Sequence, residues 1–190
     1  MKDDPPPFHI SELDEAWALA LAEAEQRARN TGRSDISTYL ALRTSNDLLR
    51  KTGRDWLRSM FTSVAAQANR AGGGIQTSSE DGHRFKVGHA TMVGSRLSLT
   101  SGVRVLSVEV GWPRTPSDGF IRGGGLACAN IKHLGLKSAN QELRLLVDPS
   151  GVPRWKVQAD SAGPRELHEA SIREHIAILL NEPPKPRKTP

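Results

Sequence analysis

The chain has almost no cysteine: Cys128 is the single one in 190 residues. One thiol excludes an intramolecular disulfide framework and a cysteine-rich zinc cluster. Long apolar runs are also lacking, since none approaches the roughly 20 residues a membrane-spanning helix needs. No membrane partner is therefore expected. The opening Met1-Lys2-Asp3-Asp4-Pro5-Pro6-Pro7 lacks the basic-then-apolar layout of a secretion signal, and a cytoplasmic location is the expectation. Chemical signatures are missing as well. Gly123-Gly124-Gly125 lacks phosphate-loop spacing, no Gly-x-Gly-x-x-Gly leads from a strand into a helix, and neither His-Glu-x-x-His nor Gly-x-Ser-x-Gly occurs. No repeat stands at a solenoid or propeller period. The sequence implies no metal and no cofactor, and its isolated glycines and histidines are too generic to carry a family resemblance.

What is present is ordinary globular material: 37% hydrophobic and 25% charged residues, enough for one domain with a substantial core. The formal charge is +5, which invites a nucleic-acid reading. Its distribution is uneven. Residues 1–30 balance at −4, residues 31–110 at +5 and residues 111–160 at +3. The middle of the chain is moderately basic.

Residues 1–10, with three consecutive prolines, read as a flexible lead-in. Ser11 offers an N-cap, followed by Leu13, Trp17, Ala20, Leu21, Ala24 and Ala28 at helical spacing, until Asn30-Thr31-Gly32 ends the helix. A second helix is expected from about Asp35 to Lys51 with Gly53 as its stop. Asp55 would then cap a third, with Leu57, Met60, Phe61, Val64 and Ala68 on one face. Three helices thus fill residues 11–72.

From Ile75 the pattern turns to short β-rich runs: Ile75–Thr77, His83–Val87, Ala90–Val93, Arg96–Leu99, Val103–Val110, Leu126–Ile131, Leu143–Val147 and Arg154–Val157. Glu80-Asp81-Gly82, Gly94-Ser95, Ser101-Gly102 and Asp148-Pro149-Ser150-Gly151 read as turns. The phase of Val103–Val110 slips at Leu106–Val108, as a bulge or a strand buried on both faces would require. A last helix begins near Pro164 and packs back on the sheet. The fold class is α+β: an N-terminal three-helix region, then a mainly antiparallel sheet over 75–182 closed by a C-terminal helix, all in one domain. Pro183–Pro190 forms a basic tail.

The segment 111–125 carries the most chemistry. Long connections inside compact domains are functional or disordered, and burial of Trp112 and Phe120 is expected to tie both ends down. Arg114 and Arg122 then present guanidinium forks to a phosphate or carboxylate, with Gly123 and Gly124 letting backbone N–H groups approach the same anion. Glu109, flanked by valines, is a strand carboxylate for catalysis or for a cation shared with Asp81 or Asp118, or a cross-strand partner for Arg96, Arg104 or Arg144. His83, His89 and His133 are candidates for a general base. His9, His168 and His175 read as surface residues, and Cys128, between two alanines, as a buried small hydrophobe.

Arg43, Arg50, Lys51, Arg54 and Arg58 gather basic charge at the junction of the second and third helices, where a helix-turn-helix would meet DNA phosphates. The leading expectation is a binding module for an anionic partner, nucleic acid before others, using those residues with Arg114 and Arg122. The alternatives are a small enzyme or ligand receptor built on Arg114, Arg122, Glu109, His89 and His133, and a protein-interaction subunit, homo-oligomeric through its N-terminal helices.

Overall fold

A computed structural model describes residues 10–32, 34–158 and 163–181. Residues 1–9 and the tail 183–190, His9 included, lie outside the described residues. Among those described, the chain forms three α-helices and a seven-stranded antiparallel sheet. The order is α1 (Ile10–Asn30), α2 (Ser34–Arg70), β1 (Gln76–Val87), β2 (Ala90–Ser101), β3 (Arg104–Trp112), β4 (Ala127–His133), β5 (Gln141–Val147), β6 (Pro153–Val157), β7 (Arg165–Glu166) and α3 (Glu169–Leu180). The sheet is a plain meander, β1 to β7 in chain order. The chain divides into two compact units, Met1–Lys51 and Thr52–Pro190, and α2 contributes to both.

The first unit keeps little of its expected apolar stripe. Leu21 and Ala28 are buried, but Trp17 is 45% exposed, with the Arg43 guanidinium 4.6 Å from its ring centroid. The α1 helix starts at Ile10, one residue before the expected cap, and ends as expected at Thr31-Gly32, where Gly32 adopts a φ of 70°.

In the second unit the expected helix stop at Gly53 does not occur. One 37-residue helix runs straight through it, so the N-terminal region holds two helices and not three. A glycine inside a helix costs about 1 kcal/mol relative to alanine. Here it permits close packing: a Cβ on Gly53 would stand 2.5 Å from a methyl of Leu145, and the Gly53 carbonyl accepts the Trp155 indole N–H at 2.8 Å. Leu57, Phe61, Val64 and Ala65 of α2 and Ile172, Ile176 and Leu179 of α3 then cover one sheet face. That face supplies Leu97, Leu99, Leu106, Val108, Val110, Trp112, Ile131, Leu143, Leu145 and Trp155. The helical face expected from Leu57 to Ala68 and the closing role of the last helix are thus realised. The last helix begins at Glu169, because Arg165-Glu166 pairs with β6 as a short strand first.

Two other expected turns are strand interiors. Gly82, with φ 79°, makes a bulge between Asp81 and His83 inside a continuous β1, since one residue at positive φ is what a bulge needs. Gly94 sits in mid-strand opposite Gly111. A Cβ on Gly94 would lie 2.0 Å from the Val110 carbonyl oxygen, so its smallness serves backbone approach, not reversal. In β3 no register shift occurs: Leu106, Val108, Val110 and Trp112 all face the helices, while Ser107, Glu109 and Gly111 take the other face. The Asp148–Gly151 turn forms as expected. The Asp148 carboxylate accepts the Ser150 and Val152 N–H groups at 2.9 and 3.0 Å, and Gly151 has a φ of 84°.

Candidate anion-binding site

The face of the sheet away from the helices is polar, and strand alternation dictates which residues stand on it. Across its middle run Glu80, Arg96, Glu109, Asn130 and Glu142, each opposite the next in register. Glu109 is the hub. Its carboxylate accepts from Lys132 Nζ at 2.6 Å and Asn130 Nδ2 at 3.3 Å, and lies 3.0 Å from His83 Nε2. Burial pushes its carboxyl up, but Lys132, His83 and Asn130 together outweigh burial and hold it below the ordinary value of 4.5. Arg96 pairs with Glu80 at 2.7 Å. Glu80, Arg96 and Glu109 thus find their partners within the chain.

The 113–126 connection wraps one end of the sheet and is ordered by contacts other than the expected pair of aromatics. Trp112 is buried at 2% exposure, whereas Phe120 is 73% exposed. The fastening falls to Asp118. Its Oδ2 accepts from the Thr115 hydroxyl at 2.9 Å and from the Thr115 and Arg114 N–H groups at 3.0 and 3.2 Å, and its Oδ1 takes Arg84 Nη2 at 2.8 Å. The Thr115 hydroxyl bond leads in lowering its pKa. Ile121 then packs against a small cluster of Phe85, Ala90, Met92 and Cys128 on the polar side of the sheet. The Cys128 thiol, pushed up to about 11 by burial, is an inert filler, as expected.

Beyond Ile121, Gly123, Gly124 and Gly125 all adopt positive φ, at 75°, 81° and 115°. They cross over Arg144 of β5. A Cβ on Gly123 would stand 2.6 Å from Arg144 Nη1, so the loop backbone passes close over that guanidinium. The Nε of Arg144 is buried with no hydrogen-bond partner. Directly opposite Arg144 in register is Lys156 of β6, on the same face. Lys156 also faces Glu166 across the β6–β7 ladder, so of the two it is Arg144 that carries the unmet demand; an unpaired buried donor costs about 1–3 kcal/mol. Arg122, exposed, precedes the glycines. Arg144, Lys156 and the exposed glycine backbone after Arg122 therefore lie together, with Glu166 opposite Lys156 and Glu142 on the same face two residues before Arg144.

The other sequence candidates scatter. The Arg114 guanidinium lies 4.1 Å from the Trp112 ring centroid, on the helix-covered side of the sheet. His89 is exposed in the β1–β2 turn. His133, buried, stands on the face opposite Glu109, its Nε2 2.9 Å from Nδ1 of His175. His175 is no surface residue but core, 3% exposed. It occupies the same helical stripe as Ile172, Ile176 and Leu179, and that spacing was the signal for its burial. The enzyme pocket of Arg114, Arg122, Glu109, His89 and His133 does not assemble. No group of three metal-ligating side chains occurs among the described residues.

Arg43, Arg50, Lys51, Arg54 and Arg58 all fall on α2, whose continuity removes the turn a helix-turn-helix requires. Arg50 pairs with Asp47 at 2.6 Å, Arg54 with Asp55 at 2.9 Å, and Arg58 donates to Ser79 Oγ at 3.1 Å. A separate groove of about 230 Å³ opens beside Thr52, Trp56, Val152 and Pro153. Its Arg154 is already held by Asp148 and Glu166, at 3.3 and 3.0 Å. No helix among the described residues is long and apolar enough to cross a membrane. Comparison with family models, curated proteins and solved structures finds no match to this chain.

Proposed function

We propose that this chain is a binding module for a phosphate-bearing partner, nucleic acid foremost, with Arg144, Lys156 and Arg122 as the cations and Gly123–Gly125 as the open backbone. The observation that carries the reading is the buried, unbonded Nε of Arg144, with Lys156 opposite it in register. A phosphate oxygen would accept the orphan N–H, and Lys156 would add a second cation beside it. A guanidinium fork suits that oxygen geometry. The expected basic surface of nucleic-acid binding thus moves from α2, where aspartates pair with Arg50 and Arg54, to the β5–β6 hairpin.

Anisotropy titration of labelled single-stranded and duplex oligonucleotides across a salt series tests it. Affinity should fall steeply with salt, because phosphate contacts release counterions. Arg144→Met and Lys156→Met should each weaken binding and flatten the log–log salt slope by about 1. If neither DNA nor RNA binds at low salt, the reading is wrong.

A second reading rests on a different observation. In the first unit Trp17, Leu19, Tyr39, Leu42 and Leu48 are 45–65% exposed, far more apolar surface than its buried Leu21 and Ala28 offset. We propose self-association with a second copy through these helices. Light scattering over a wide concentration range tests it, and a strictly monomeric mass throughout would remove it.

A further inference from the structure

We propose that the partner is single-stranded nucleic acid and that Phe120 is the platform on which one of its bases stacks; this rests on the phosphate site at Arg144. Phe120 presents 73% of its surface to solvent although the chain on either side of it is fixed. On one side Gly119, at a φ of 85°, donates its N–H to the Pro116 carbonyl at 3.2 Å and its Cα neighbourhood abuts Ala90. On the other, Ile121 is packed into the Phe85, Ala90, Met92 and Cys128 cluster. The ring is thus displayed from a rigid support, with no hydrophobic neighbour claiming it.

Its position relative to the cations makes the display chemical. Phe120 precedes by three residues the glycine whose backbone crosses Arg144. Three residues of chain span at most about 11 Å. An exposed aromatic carried that short a length of backbone from the glycine over a guanidinium suits a ligand with a base at one end and a phosphate at the other. Aromatic faces hold unpaired bases without sequence preference, beside a cationic groove that tracks the backbone. Bases inside a duplex are already stacked on each other and offer Phe120 nothing. A partner carrying phosphate but no base, such as polyphosphate, would use Arg144 and ignore the ring.

The experiment is one titration matrix: a labelled single strand, its duplex and a polyphosphate competitor against the full-length wild type, Phe120→Ala, Phe120→Trp and Arg144→Met. Base stacking is worth about 1–3 kcal/mol by alanine substitution. Phe120→Ala should therefore weaken single-strand binding about 5- to 150-fold, leave polyphosphate competition unchanged, and be rescued by Phe120→Trp. The single strand should bind more tightly than the duplex. Arg144→Met should weaken the single strand and polyphosphate alike. Should Phe120→Ala bind the strand as wild type does, or the duplex match it, the stacking proposal falls while the phosphate site stands. If wild type binds no oligonucleotide and no polyphosphate, the phosphate site falls and takes the stacking proposal with it.

Discussion

The two faces of the sheet are built on different terms. The covered face is large apolar side chains locked under α2 and α3, with Phe61, Leu106, Ile131, Leu143 and Leu145 fully out of solvent. The open face is a belt of cross-strand charge pairs around Glu109, with a small apolar cluster and a buried Arg144 Nε that has no hydrogen-bond partner. Stability belongs to the first, and the proposed binding site lies on the second.

Substitutions can break that contrast, and the largest effect is expected on the covered face. Phe61→Ala should cost roughly 3–5 kcal/mol in denaturant unfolding, since it deletes a fully buried ring. A loss below about 1 kcal/mol would mean that α2 is not what closes the core.

The next is a pH effect on the same face. Burial, with the neighbouring His133, lowers His175 to about 4 from an ordinary 6.5. In that interval the unfolded chain binds a proton that the folded chain refuses, so folding stability is intact above pH 6.5 and falls as pH drops toward 4. The loss is on the order of 3 kcal/mol. His175→Gln should flatten the slope, read as unfolding midpoint against pH. An unchanged slope in that variant would acquit the histidine pair.

On the open face the effects shrink. Glu109→Gln keeps the shape but removes the charge facing Lys132, costing about 1–2 kcal/mol. Because the Glu109 carboxyl is lowered in the fold, its contribution is present above pH 4.5 and disappears as pH falls through the lowered value. The glutamine variant should lack that acid-side loss, measured by the same unfolding series. Smallest of all, Phe120→Ala should shift stability by less than about 0.5 kcal/mol, because its ring touches little. A larger loss would place the ring in the fold's service and sharpen the contrast against us.

Much of this was legible in the residues, and the failures share a cause. The β-rich second half, the closing helix and the Asp148–Gly151 turn follow from local pattern and turn chemistry. Gly53, Gly82 and Gly94 misled because a glycine reads alike whether it reverses the chain, makes a bulge or lets two backbones touch. Only tertiary neighbours, Leu145 at one and the Val110 carbonyl at another, distinguish these uses. Of the two aromatics expected to fasten the loop, Trp112 is buried but Phe120 is not, and Asp118 and Ile121 supply the other hold. Arg122, Gly123 and Gly124 belong to the candidate site, Arg114 does not, and Arg144 with Lys156 was missed. Those two were within reach: both lie six residues from Ser150, so a tight turn there sets them face to face. His175 was equally accessible from its place in the apolar stripe.

Gly53 has one more consequence, for how the long helix is indexed. It is the only glycine among the 37 residues of α2, and the Trp155 indole grips its carbonyl. Sliding the helix by a turn would bring Leu49 or Leu57 against Leu145, where even a methyl does not fit. The contact works as a detent: a notch and a catch that leave the helix a single seating along the sheet.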